Sequence, residues 1–386
     1  MVRLVVLNFN GGDEVLECVA SLERLDWPSE RREVVVVDNA SSDGSLERIA
    51  ERHPGVAIVR NPENTGFSAN NLALEELDGI DFVGLVNPDA WVDPGWLRAL
   101  VAAFADRPTM GAACPRILLA EQFVDVSVDL ELPATVVDVT IDGQSRLPAC
   151  GRAWRLLGSG PRPDDAGRWI LDQPSVPVPV PRDGDVGAIH LSTGPGTQVA
   201  GVPSAPYDVV NNTGVVLHDD LYASDRGLGQ RADAHHPPEE VEAWTGGGVL
   251  LRAEFLRDVG VLDDVFFLYY EDVDLSWRGR RRGWSYRYVA DAQMWHHHAA
   301  SSTEGSDFFR FHNERSRLLM IARNADGTTV VRSFARFALS TLGYVRADVL
   351  RPLLRRRRPD TTVVRTRVRA LASATAALPR AIRGRD

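Results

Sequence analysis

VVVVDNASSDGS, residues 34–45, holds the decisive reading of this chain: four valines in a row, an aspartate, then small polar residues. A nearly continuous valine run is how a strand buried on both faces reads, because parallel sheets are covered by helices on either side. The strand EVVVVD is therefore predicted to stop at Asp38, where small polar residues favour a turn, and a helix is predicted from Ser45 to Arg52. The pattern repeats on both sides. Upstream stand VRLVVLNF and an amphipathic stretch from Asp13 to Leu25; downstream stand VAIVRN, a helical stretch from Ser68 to Leu77 and the apolar DFVGLVN. Short buried strands alternating with helices predict a parallel α/β sheet. Such sheets bind ligands where strands end, and Asn8, Asp38, Asn61 and Asn87 all close predicted strands.

The rest of the chain departs from this pattern in stages. From about Glu121 apolar and polar residues alternate (Val124, Val126, Val128 against Asp125, Ser127, Asp129), the signature of a half-buried antiparallel strand. Further strand-like runs follow, including PSVPVPVP at 174–181, which suits only an edge strand or a polyproline segment. Residues 121–208 are thus expected to form an inserted β-rich subdomain between two α/β halves, 1–120 and 209–325. In the second half a helix is expected at Ala253–Val259, another from Asp272 to about Arg282, and a strand over WSYRYVADAQMWHHH. Residues 326–386 read as Arg-rich amphipathic helices.

Composition excludes several classes. With 386 residues, 44% hydrophobic and 25% charged, the chain resembles an ordinary globular protein of two or three domains. The three cysteines, Cys18, Cys114 and Cys150, are odd in number and lack CxxC spacing, which argues against a disulfide framework or structural zinc and for a reducing cytosol. The N-terminus enters a β-rich run directly, unlike a secretory signal, and no window approaches the ~18 apolar residues of a spanning helix. The net charge is -10, yet residues 310–386 carry 18 arginines against 5 acids, and there is no lysine anywhere. A basic tail on an acidic body suggests contact with anionic phospholipid headgroups; packing of the tail against that body is the competing explanation. No nucleic-acid reading motif accompanies it, so nucleic acid is not an expected partner.

Several stretches could carry chemistry. Asp38 at its strand end could accept hydrogen bonds from a base or a ribose, or with Ser41 simply cap the following helix. In NPENTGFSANN, Gly66 permits close backbone approach and the amides could face an anion, although a helix cap explains Ser68 equally well. LVNPDAWVDPGWL sets Asn87 and Asp89 just past an apolar strand, either a plain β-turn or two oxygen donors for a hard divalent cation shared with phosphates. In FFLYYEDVDLSWRGRRRGW, Glu271 and Asp272 open a helix after an aromatic run. Acids there suit the helix dipole, and aromatic neighbours could also shield a base. In WHHH, His296 and His298 share one face of a strand and His297 the other, so three zinc ligands cannot converge, while a single histidine ligand remains feasible.

Taken in order, LNFN, VVVVDNASSDGS, NTGFSANN, NPDAWVDPGWL, TGGGVLLR, FFLYYEDVDLSWR and WHHH resemble a family 2 inverting glycosyltransferase over about 1–120 and 205–325. Within that family the chain is most similar to the bacterial rhamnosyltransferase-like branch. The resemblance implies a GT-A fold, a nucleotide-diphosphate sugar donor (dTDP- or UDP-linked), and a divalent cation, manganese or magnesium, at the DxD motif. It implies that Asp38 contacts the nucleobase, Asn8 and Asn10 line the nucleotide pocket, and Asn64, Gly66 and Asn71 approach the donor. Asp89 would hold the metal with His296, Asp272 would act as base, and Glu271 would bind acceptor or support the site. The acceptor expected is a cell-envelope glycan or a polyprenyl-linked saccharide at the cytoplasmic face of the plasma membrane.

Two departures stand out. Asn87 occupies the first acidic position of the DxD, and the 121–208 insert has no counterpart in the minimal fold. The first keeps open an alternative, a catalytically silent sugar-binding or scaffold protein. The insert could be an acceptor wall, an oligomer contact or a carbohydrate-binding module.

Overall fold

The computed structural model describes residues 1–164, 166–182, 184–234, 238–297 and 306–384. Its centre is a mixed sheet whose main path runs Glu240–Val241, Ser285–His296, Met110–Leu119, Gly248–Arg252, Phe82–Val86, Val2–Asn8, Arg32–Asn39, Ala57–Asn61. The last four strands of that path are parallel, with Asn8 level with Asp38 and Asn39 level with Asn61. Their carboxyl ends therefore form one edge. The four-valine run shows why: Val34 and Val36 enter the core on one face of the sheet, Val35 and Val37 the core on the other. Each such side chain removed from water contributes about 1.5–3 kcal/mol, so the strand is held between two helical layers.

The helix Glu14–Glu23 buries Val15, Leu16, Cys18, Val19 and Leu22 in the first of those cores, and Ser45–Arg52 buries Leu46 and Ile49. On the far side of Phe82–Val86 the sheet ceases to be parallel. Gly248–Arg252 runs antiparallel to both Phe82–Val86 and Met110–Leu119, and Ser285–His296 runs parallel to the latter. This antiparallel intruder brings the GGG segment, Gly246–Gly248, beside Asn87.

One expected helix takes another form. Residues Gly66–Ala73 form a 3-10 helix where an α-helix from Ser68 to Leu77 was expected. Ser68 Oγ donates to the Thr65 carbonyl and Asn70 Nδ2 to the Phe67 carbonyl, 3.1 and 2.9 Å, local bonds that compete with α-helical pairing.

Within 121–208 three small sheets surround a core of their own, built on Val124, Val126, Val176, Val178, Leu171 and Trp154. The proline-rich Ser175–Val180 lies at the edge of its sheet, paired with Gln122–Ser127, where missing N–H groups cost no ladder bond. The insert also holds a helix, Leu147–Leu157, whose Trp154 indole donates to the Pro177 carbonyl at 2.7 Å. After the sheet, helices Asp307–Asn324, Gly327–Tyr344 and Thr362–Arg383 share a third core with Phe266, Tyr270 and Val273. Among the described residues no helix is long and apolar enough to cross a membrane.

Candidate active site

Asn8 ends its strand fully buried, and its amide faces three acceptors: Asp38 Oδ1 at 3.0 Å, Ser41 Oγ at 3.1 Å and Ser45 Oγ at 3.0 Å. Its own oxygen accepts from the Gly11 backbone at 3.1 Å. The Asn10 backbone, at φ 55, donates to Ser41 Oγ, and its side chain accepts from the Ser42 backbone at 2.8 Å. The first two strand ends are thereby stitched into a rigid wall, with Asp38 and Asn10 at its rim.

The next strand pair is organised by a residue the motif reading passed over. Asn39, buried, donates to Asn64 Oδ1 at 2.8 Å and to the Gly66 carbonyl at 3.1 Å, and it accepts from Asn61 and from the Thr65 backbone. Gly66 sits at φ 76, and a Cβ there would collide with the Phe267 carbonyl, which accepts from Phe67 N at 2.9 Å. Asn71 bonds to a different loop. Its amide donates to the Leu262 carbonyl at 2.7 Å and accepts from the Leu262 N–H at 3.2 Å, so both its polar groups face the polypeptide.

Asn87 and Asp89 follow the strand Phe82–Val86, and the far end of Ser285–His296 meets them there. His296 Nε2 lies 3.0 Å from Asp89 Oδ1 and 3.3 Å from Asn87 Nδ2, while its Nδ1 lies 2.8 Å from Asn211 Oδ1. Burial pushes the Asp89 carboxyl up, but the hydrogen bond and charge of His296 outweigh it and hold the group below its ordinary range. Asn211, 85 residues away in sequence, sets the ring's orientation as an outer partner sets a ligating histidine. His298, expected from the sequence to share that strand face, lies outside the described residues. Among the described residues no cluster of three or more His, Cys, Asp or Glu side chains is placed to hold a metal. Any cation here would take one carboxylate, one imidazole and oxygens from elsewhere.

Glu271 and Asp272 begin the helix Glu271–Arg281 directly after two left-handed residues, Tyr269 at φ 66 and Tyr270 at φ 68. Two bulky side chains in that region cost of order 1–3 kcal/mol each, strain that packing must over-determine. Tyr270 is buried and its hydroxyl accepts from Ala223 N at 3.1 Å; the Tyr269 ring meets Phe309 edge-on at 5.1 Å. The turn aims Asp272 at Gly246, whose N–H donates to Asp272 Oδ2 at 2.9 Å, while Val273 N donates to Oδ1 at 2.7 Å. Burial pushes the Asp272 carboxyl up to about 6, against the pull of those two N–H groups. Glu271 is buried deeper; burial first and the neighbouring Asp272 charge second raise it well above the ordinary range, and its Oε2 has no hydrogen-bonding partner among the described residues. Asp274, the third acid of EDVD, is structural: it pairs with Arg278 at 2.9 Å and accepts from Asn324 at 2.7 Å.

Two glycines join the halves of the site. Gly246 donates to Asp272, and the Gly247 carbonyl accepts from Asn87 N at 3.1 Å. One dipeptide thus links the acid at 272 to the Asn87–Asp89–His296 cluster. Asn8, Asn10 and Asp38 lie together, Asn64 and Gly66 follow the adjoining strand end and bond to Asn39, and Asn71 is bonded to Leu262. Asn39 and Gly246 lie within the quoted motifs but their roles, like that of Asn211, are not legible there, because each acts through a partner distant in sequence.

Comparison with known proteins places this geometry. The glycosyl transferase family 2 model matches residues 4–122. An N-acetylglucosaminyl-diphospho-decaprenol L-rhamnosyltransferase of Mycobacterium tuberculosis is 24% identical over 312 residues, 78% of this chain and 76% of that protein. A beta-monoglucosyldiacylglycerol synthase of Synechocystis is 32% identical over 130 residues, 32% of this chain and 27% of that protein. Among solved structures, GalNAc-T7 with UDP, GalNAc and Mn2+ superposes with a TM-score of 0.50 at 13% identity, covering 84% of this chain and 48% of that one. The parallel strands with their polar ends are the matched segment, and the mixed sheet beyond them completes the architecture. Residues 4–122 thus carry the match to glycosyl transferase family 2, the fold is of the GT-A kind, and the chain is similar over most of its length to a glycosyltransferase.

Proposed function

We propose that the protein moves a hexose, rhamnose by preference, with inversion from a dTDP- or UDP-linked donor to a saccharide carried on a polyprenyl diphosphate. The observation that carries this reading is the Gly246–Gly247 link, which sets a carboxylate poised near neutral pH beside an Asp–His pair at the strand-end edge. The mycobacterial relative, named for transfer of rhamnose to a decaprenyl-linked N-acetylglucosamine, supports the choice of sugar and acceptor.

The donor lies along the edge. Asp38 stands two inter-strand steps, roughly 10 Å, and Asn8 one step, from the strand Phe82–Val86 that leads into Asn87, a span that suits a nucleoside at one end and its diphosphate at the other. A divalent ion fits Asp89 and His296: the carboxylate would hold it, and with Nδ1–H donated to Asn211 a neutral ring would offer the same ion its Nε2 lone pair, in place of the Nε2–H that otherwise donates to Asp89. Asn87 adds a neutral amide where a second acid is usual, so diphosphate oxygens must supply much of the remaining coordination. The ion, when bound, neutralises the leaving diphosphate. Asp272 takes the proton of the acceptor hydroxyl as its oxygen bonds to the anomeric carbon from the face opposite the diphosphate, whose C–O bond breaks. Gly246 and Val273 hold that carboxylate in position, while burial and the Asp272 charge oppose ionisation of Glu271 beside it.

Thermal unfolding against a panel of nucleoside-diphosphate sugars, with and without manganese, tests the donor half. One donor should raise the melting temperature in a metal-dependent way, by the equivalent of about 2.7 kcal/mol at a hundredfold excess over Kd, and Asp89→Ala should abolish the metal dependence. An equal metal-dependent shift in Asp89→Ala would remove Asp89 from the site.

A further inference from the structure

The sequence poses membrane contact and packing onto the body as alternatives for the Arg-rich tail. The structure divides the tail between them. The last helix, Thr362–Arg383, is tied down: Ala370, Ala374 and Ala381 are buried, and Arg367 donates to Glu314 at 2.6 Å, Ser340 at 2.6 Å and Thr341 at 3.1 Å. Arg380 pairs with Asp264 at 2.5 Å.

The segment before it is different. Helix Gly327–Tyr344 packs Val330, Phe334 and Phe337 into the third core, yet its outward side is apolar too. Val331, Ala335, Leu339 and Leu342 recur at helical spacing and all are exposed, Val331 at 70%, Leu339 at 65% and Leu342 at 62%. Beyond the helix, Leu350, Leu353 and Leu354 continue the exposed apolar run, Leu354 at 84%. Arginines flank it throughout: Arg332, Arg336, Arg346, Arg351 and Arg355–Arg358 are all exposed, and Asp348 is the one acid among residues 327–358.

We infer that the exposed face of residues 331–358 is a docking surface for an anionic lipid bilayer, with the leucines entering the headgroup region and the arginines meeting phosphates. Charge selects this occupant. A second copy of the chain would bring its own eight arginines against these eight in a two-fold contact, whereas an anionic surface neutralises both clusters at once. The inference goes beyond the reading at Asp272 and does not depend on it: it says where the enzyme sits, not which sugar it moves.

The test is sedimentation of the full chain with phosphatidylcholine vesicles, with and without phosphatidylglycerol, at low and high salt. The wild-type chain should bind only the anionic vesicles and release in salt. Replacing all four residues Arg355→Gln, Arg356→Gln, Arg357→Gln and Arg358→Gln should weaken binding by about a hundredfold or more. The pair Leu339→Glu and Leu342→Glu should abolish it, with unfolding temperature and donor-induced shift unchanged because the side chains are exposed. Undiminished binding by both variants would overturn the assignment. So would a wild-type dimer in light scattering that fails to bind vesicles and falls apart in the leucine variant, since that outcome gives the face to a second copy. A loss of donor response with vesicle binding intact would count against the proposed reaction and leave the docking surface standing.

Discussion

Asp272 is the residue on which the proposed chemistry turns, and its titration can be followed directly. A carboxyl that ionises near 3.8 in an unfolded chain and near 6 when folded binds its proton more tightly in the native state. Between about pH 4 and 6 this group therefore makes the fold less stable as pH rises, and it favours ionised, base-competent enzyme only above 6. Two outcomes are expected: kcat/KM rises with pH through about 6, and Asp272→Asn lowers transfer by about 10²–10⁴-fold while the donor-induced shift persists. In chemical denaturation from pH 4 to 6, the variant should lack this group's contribution to the slope. A variant with wild-type turnover would assign the proton to another group. Around Asp272 the ED pair is legible in the sequence, because acids after an aromatic run at a helix start form a local pattern. Gly246 as its hydrogen-bond donor is not, since it lies 26 residues upstream, in the turn before the strand Gly248–Arg252.

At the scale of elements, the 3-10 segment Gly66–Ala73 and the aromatic loop before Glu271 are locked together at one point. Gly66 at φ 76 lies against the Phe267 carbonyl, so a methyl group would meet both a strained backbone and a steric block. Gly66→Ala should cost about 2 kcal/mol or more in urea denaturation and should slow transfer by shifting the Tyr269–Asp272 turn. Unchanged stability would mean that the contact between the two loops is loose. The amide-rich sequence NPENTGFSANN suggests a ligand-facing loop. Much of its amide chemistry is instead spent on the chain itself, through Asn39 with Asn61 and Asn64, and through Asn71 with Leu262. Residue type alone does not separate these uses; the direction of each side chain does.

Over the whole molecule, one central sheet carries the strand-end edge, the insert builds a core of its own, and the C-terminal helical bundle builds another with Phe266, Tyr270 and Val273. Arg367 holds that bundle. It is buried, stacks 4.0 Å over the Phe337 ring, and pairs with Glu314, which also accepts from Tyr222 at 2.8 Å. Arg367→Ala takes from buried Glu314 its shorter ion pair, leaving Arg317 at 3.6 Å and the Tyr222 hydroxyl, and should cost about 3 kcal/mol. Chemical denaturation should register the loss while exposed Arg355–Arg358 substitutions leave stability unchanged. Equal effects would indicate that the bundle is not a cooperative part of the fold.

Much of this architecture is written locally. The valine run, its strand-ending aspartate and the repeats of that pattern determine the parallel half of the sheet and put Asn8, Asp38, Asn61 and Asn87 on one edge, because burial on two faces and turn chemistry act over a few residues. The motif order carries the resemblance to family 2 for the same reason. Tertiary structure alone decided that Gly248–Arg252 enters antiparallel, that Asn211 orients His296 and that Asn39 spends the amides of the 61–66 loop. It also decided that the tail is half anchored and half exposed. Those outcomes depend on which distant surfaces meet, and chain-distant contacts leave no periodic or compositional trace in the segments that make them.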